Sequence, residues 1–152
     1  MKKHIISVLV ENKSGVLSRI AALFAARGFN IDSLAVGETE DPKISRMTIV
    51  SEGEENVLEQ VVKQLRKLID VISVSDYTKK ELDYVDRELV LVKVDASAAK
   101  RSGIVEIADI FRAKIIDVSL HTLAIEITGT ESKIQAFLDL MRDFKIIEIA
   151  RT

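Results

Sequence analysis

Ile5, Ile6, Val8, Leu9 and Val10 form a compact apolar run, after which Val16, Leu17, Ile20, Leu23 and Phe24 recur at spacings of one, three and four. This change of period predicts a strand over residues 4–10 and then an amphipathic helix. "FNIDSLAVG" and "ISRMTIVS" read as two further strands, with "ETEDPK" as the turn between them. Beyond Gly53, the residues Val57, Leu58, Val61, Val62, Leu65 and Leu68 return to helical spacing, and "IDVISVSD" to β character. The predicted order is βαββαβ.

The same order follows a charged linker, "YTKKELDYVDRE". "LVLVKVDA" reads as a strand and Ile104, Ile107, Ala108 and Phe111 mark a helix. "KIIDVSL" and "TLAIEITG" are two strands; Ile134, Phe137, Leu138 and Met141 mark a second helix, and "FKIIEIA" closes the unit. "TIVSEGEENVLEQV" aligns on "AIEITGTESKIQAF" without a gap, which places Gly53 over Gly129, and "NIDSL" falls on "IIDVSL", with Ile116 over Asn30. The fold class expected is α+β: two tandem ferredoxin-like βαββαβ domains, residues 1–77 and 78–152, each a four-stranded antiparallel sheet with two helices on one face. In "IISVLV", Ile6, Val8 and Val10 fall on one face and Ile5, Ser7 and Leu9 on the other, so both faces are largely apolar. The face without helices therefore calls for a covering domain or subunit, and self-association is expected.

Composition narrows the chemistry. Across 152 residues the net charge is −2, without the basic excess of a nucleic-acid-binding surface. The central strands also carry no aromatic residue on which RNA bases could stack. No apolar run reaches the ~20 residues of a membrane span, and the N-terminus has no secretory pattern, so no membrane partner and a cytoplasmic protein are expected. There are no cysteines, and the two histidines, His4 and His121, are too far apart in sequence to form a cluster by themselves. Thiolate catalysis and Cys-based zinc sites are excluded, and no metal ligands or catalytic residues are assigned.

A polar knot, Asn12-Lys13-Ser14-Gly15, separates the first strand from the first helix. Free amides and the positive end of the helix dipole meet there, which suits an anion. Gly15 lets a carboxylate approach the backbone closely, and Ser14 is placed to act as N-cap. Asn30, at the start of the second strand, reaches the same end of the sheet as Asn12 only if the intervening helix packs back across it. Two amide oxygens would then accept from an ammonium, while Val16, Leu17 and Ile31 contact an apolar side chain. Such a site fits a free amino acid at micromolar to millimolar affinity. The same residues are equally those of an ordinary helix cap and an ordinary turn.

The segments "SVLVENKSGVLSRIAALFAARGFNIDSL", "SRMTI", "EQVVKQLRKLIDVISV", "RELVLVKV", "IFRAKIIDVS" and "AIEITGTESKIQAFLDLM" resemble the small regulatory subunits of acetolactate synthase, also called acetohydroxyacid synthase. The likeness runs over nearly the whole chain, and its first half resembles an ACT domain. It implies a non-catalytic subunit that activates a large catalytic subunit and confers feedback inhibition by valine, or by leucine or isoleucine. Thiamine diphosphate, magnesium and FAD would belong to that large partner. The effector would sit between the ACT domains of a homodimer or higher oligomer, on Asn12, Gly15 and Asn30, with Lys13, Ser14, Val16, Leu17 and Ile31 as neighbours. An alternative is an amino-acid sensor of the same kind acting on a different enzyme. An acylphosphatase-like enzyme would cast Arg19 and Asn30 as its phosphate-loop arginine and its asparagine, but Arg19 falls inside the predicted helix and no glycine-rich cradle surrounds it.

Two features depart from the family. Ala113 stands where glycine is common, which asks that position to avoid positive φ, and "EIART" is where the chain stops, whereas relatives usually continue for about a dozen residues. "DASAAKRSG" offers no Asn-x-x-Gly, so the second half is not expected to hold the same ligand.

Overall fold

The computed structural model describes residues 2–79 and 83–152, and the chain divides into two compact units, residues 1–84 and 85–152. The division falls within the charged linker. In the first unit the elements are β1 (Lys2–Glu11), α1 (Val16–Ala26), β2 (Ser33–Glu38), β3 (Ile44–Gly53), α2 (Glu55–Leu65) and β4 (Val71–Asp76). In the second they are β5 (Glu88–Asp95), α3 (Ala98–Ile110), β6 (Lys114–Val118), β7 (Thr122–Gly129), α4 (Glu131–Arg142) and β8 (Ile146–Arg151). Both units follow the expected βαββαβ order.

Each unit forms one antiparallel sheet, with strand orders β2-β3-β1-β4 and β6-β7-β5-β8. β1 and β3 pair along their whole length, from Lys2 opposite Gly53 to Glu11 opposite Ile44. Alternation then decides which side chains meet the helices. Ile6, Val8 and Val10 of β1 and Met47 and Ile49 of β3 pack with Val16, Ile20 and Phe24 of α1 and Val61 and Leu65 of α2. The opposite face carries Ile5 and Leu9 half-buried, and Arg46 donates to Ser7 Oγ at 2.5 Å across it. In the second unit Val90, Val92 and Val94 meet Ile104, Ile134 and Phe137, and Leu89 and Leu91 stay exposed on the other side.

The matched glycines behave alike. Gly53 closes β3 and Gly129 closes β7, and in both units the next helix begins two residues later. Both are buried because a neighbouring side chain lies over them: a Cβ would come within 2.2 Å of the Phe29 ring at Gly53 and 2.5 Å of Lys133 Cδ at Gly129. Ala113 avoids positive φ as expected, since the left-handed turn falls one residue earlier, at Arg112. His4 is buried and pairs with Asp76 at 3.0 Å; His121 is exposed in the other unit.

Candidate functional site

The polar knot is a tight turn pinned from three sides. Glu11 N–H donates to Asp70 O at 2.9 Å, Asn12 N–H to Lys43 O at 2.8 Å and Lys13 N–H to Glu11 O at 2.9 Å. Gly15 then takes φ +85° and occupies the N-cap position of α1 itself, with no side chain capping the helix. The expectation that Ser14 caps is therefore corrected: the left-handed turn at Gly15 starts the helix one residue later. Because the cap is a glycine, the first amides of α1 lack a side-chain acceptor.

Two ion pairs stand beside those amides. The Arg19 guanidinium stands over Gly15, 3.1 Å from where a Cβ would lie, and it pairs with the largely buried Asp70 carboxylate. An arginine is thus part of this end of the site, which the sequence reading did not anticipate; its position one turn into the helix is the signal that could have found it. Lys13 pairs with Glu11 at 2.8 Å, both exposed, and hydrogen bonding to that carboxylate raises the Lys13 ammonium above its ordinary value. Ser14 is exposed.

Asn12 and Asn30 are both fixed, in different places. Asn12 Nδ2 donates to Pro42 O at 2.9 Å and to Glu38 Oε1 at 3.2 Å, at the far end of β2. Asn30 lies in the connection ahead of β2, not on the strand as expected, because β2 begins only at Ser33. Its carbonyl accepts from Ser51 Oγ at 2.7 Å and its Nδ2 donates to Asp32 Oδ1 at 2.8 Å. Asp32 Oδ2 in turn accepts from Glu52 N–H at 3.0 Å. Ser51 opposes His4, whereas Ile44 opposes Glu11, so the two asparagines sit at opposite ends of the sheet, separated by roughly 20–25 Å of strand. α1 carries the chain from one end to the other, and within a single chain Asn12 and Asn30 do not converge.

Among the apolar neighbours, Val16 is buried in the core, Ile31 packs partly against it, and Leu17 is 44% exposed. β2 is an edge strand whose helix-side residues Leu34 and Val36 are 37% and 48% exposed. A depression of about 460 Å³ over β2 and β3 is lined by Ala35, Gly37, Glu38, Glu40, Arg46 and Thr48, so Glu38, which holds Asn12, also borders open space. Asp32, Glu38 and Pro42 escaped the sequence reading. Asp32 was visible in principle as a short polar side chain two residues after Asn30; Glu38 and Pro42 meet Asn12 only through the hairpin.

The second unit is built differently here. Arg101 of α3 donates to the carbonyls of Ala96 at 3.2 Å, Ser119 at 2.5 Å and Leu120 at 3.1 Å, tying the hairpin turn to the strand-to-helix loop with a guanidinium where the first unit uses Asn12. The counterpart of Asn30 also shifts. Ser33 opposes Val50 and Lys114 opposes Glu126, each three residues before the matched glycine, so Ile116 lies inside β6 whereas Asn30 precedes β2. Six residues lead into β2 and three into β6, and matching the left-handed residues Gly28 and Arg112 sets Lys114 against Asn30. A gap-free string match cannot see the different loop lengths that precede the two strands. Phe111 packs edge-on against Phe137 with ring centres 5.5 Å apart.

Comparison with known proteins agrees with this two-part architecture. Residues 6–73 match the family described as the AHAS small subunit-like ACT domain, and residues 87–152 that described as the small subunit of acetolactate synthase. The chain is 57% identical over 150 residues to the probable acetolactate synthase small subunit of Archaeoglobus fulgidus, covering 99% of this chain and 92% of that one. It is 52% identical to the acetolactate synthase small subunit of Aquifex aeolicus, covering 100% of this chain and 79% of that one. The crystal structure of the Thermotoga maritima acetolactate synthase small subunit superimposes with a TM-score of 0.90 at 43% identity, over 100% of this chain and 94% of that one. With both halves matched in order, and with full-length relatives above half identity, the chain belongs to the acetolactate synthase small subunit family, its first unit an ACT domain.

Proposed function

We propose that two copies of this chain pair through the outer edges of β2 and bind a branched-chain amino acid, valine or its close relatives leucine and isoleucine, at each end of the seam. The carrying observation is that Asn12 is anchored at the end of β2 and Asn30 lies just before its start, and that among the described residues the outer edge of β2 is unpaired. Antiparallel pairing of the two edges about a two-fold axis sets Ser33 of the partner subunit near Glu38, and so brings Asn30 of the partner subunit toward Asn12 and Gly15. Exposed Leu34 and Val36 supply apolar surface for the pairing.

In such a seam the uncapped amides of α1 and the Arg19 guanidinium take the carboxylate, the asparagine oxygens take the ammonium, and Leu17 with Ile31 of the partner subunit borders the side chain. Occupancy then favours one conformational state over another. Through that preference the subunit activates, and on binding effector inhibits, a large catalytic subunit that carries the thiamine diphosphate, magnesium and FAD. Calorimetric titration with valine, leucine and isoleucine tests the binding, and acetolactate formation by an added catalytic subunit tests the regulation. Saturable binding of at least one of the three, with activity that rises on adding this chain and falls with effector, is expected. Heats of dilution alone for all three would refute the proposal.

A further inference from the structure

Both asparagines have their donor ends committed to groups that can only accept. Asn12 Nδ2 faces the Pro42 carbonyl and Glu38 Oε1, and Asn30 Nδ2 faces Asp32 Oδ1. A carbonyl and an ionised carboxylate offer no proton, so neither side-chain amide can be turned round without setting oxygen against oxygen. With the NH₂ end held, the Oδ1 of each carboxamide is the atom left to accept from a ligand. Asp32 is itself held, since its second oxygen accepts from Glu52 N–H at 3.0 Å and its own N–H donates to Val50 O at 2.8 Å.

We infer that Asp32 is a positioning residue for ligand recognition: it holds the Asn30 carboxamide with its oxygen left to accept, and with Asn12 held likewise the two acceptors together favour an ammonium at the α-carbon, which has a proton for each, over a hydroxyl, which has only one. The Pro42 carbonyl and Glu38 do the same for Asn12. This rests on the amino-acid site proposed above and adds its chemical selectivity. Replacing Asp32 by asparagine keeps the size of the side chain but makes one end a donor. Either the Glu52 amide loses its acceptor, or the Asn30 carboxamide flips and shows its NH₂ to the ammonium. A hydroxyl, which both donates and accepts, tolerates the flip.

The test compares L-valine with (S)-2-hydroxy-3-methylbutanoate by calorimetry on the full chain, in wild type and in the Asp32→Asn, Asp32→Ala and Glu106→Gln variants, with circular dichroism to verify folding. Wild type is expected to favour valine. Asp32→Asn should lower that preference by about tenfold, and Asp32→Ala, which frees the amide without forcing it round, by a smaller factor. Glu106 is exposed on α3 and outside the proposed site, so Glu106→Gln should leave the preference within about threefold of wild type. If both ligands weaken by the same factor in the Asp32 variants, Asp32 is only structural and the inference is overturned while the site stands. If wild type binds neither ligand, the site itself is wrong and the inference falls with it.

Discussion

Gly15 separates what the turn needs for folding from what it needs for binding. At φ +85° an alanine would bear the left-handed penalty of about 1–2 kcal/mol. Its Cβ would meet Arg19 Nη1 at 3.1 Å, the far end of a flexible side chain that can yield. Aspartate visits the left-handed region more readily than alanine, so Gly15→Asp should destabilise less than Gly15→Ala. For ligand the order reverses. The aspartate carboxylate would occupy the uncapped amides of α1 and repel an incoming carboxylate; loss of one charge-assisted hydrogen bond, about 1.5–3 kcal/mol, weakens valine by about 10- to 150-fold. Alanine adds only a methyl group and should cost less affinity. Urea unfolding and valine titration on the three proteins measure both orders. Affinity that simply tracks stability, or an undiminished valine response in Gly15→Asp, would refute the reasoning.

The two matched glycines should respond unequally to alanine. Gly53→Ala drives a Cβ into the Phe29 ring and should cost about 1–3 kcal/mol in urea unfolding. Gly129→Ala meets only the flexible Lys133 stem and should cost less than about 1 kcal/mol. Phe137→Ala removes a fully buried ring from the second core and should lose about 3–5 kcal/mol. Val36→Lys sets like charges across the proposed seam, and sedimentation should show a shift toward monomer without loss of helical signal. Lys13 contributes stability through its raised pKa, present below the ordinary value of 10.5 and lost as pH rises past the raised one. Glu11→Gln should bring its NMR titration midpoint back toward 10.5.

Much of the fold was legible because period two and period 3.6 alternate cleanly, and Thr122–Gly129, for instance, is the strand the pattern marked. The pattern failed at Phe29–Asp32, which continues the apolar character of β2 but is not strand: Phe29 turns into the core and Asp32 bonds to Glu52 N–H. Asn12 and Gly15 were legible as a turn because their residue types dictate one. Their relation to Asn30 was not, because it depends on which end of a ten-residue strand each side chain occupies, and that follows from register alone. The same blindness set Ile116, a residue inside β6, opposite Asn30, which precedes β2.

A site shared between subunits makes a stoichiometric demand that one contained in a single chain does not. Asn12→Ala and Asn30→Ala, each alone, should abolish or strongly weaken valine binding. When the two variants are mixed and allowed to exchange subunits, each mixed dimer regains one intact site, so about a quarter of the wild-type sites should return in calorimetry. No recovered binding in a mixture shown to have exchanged would contradict the shared site.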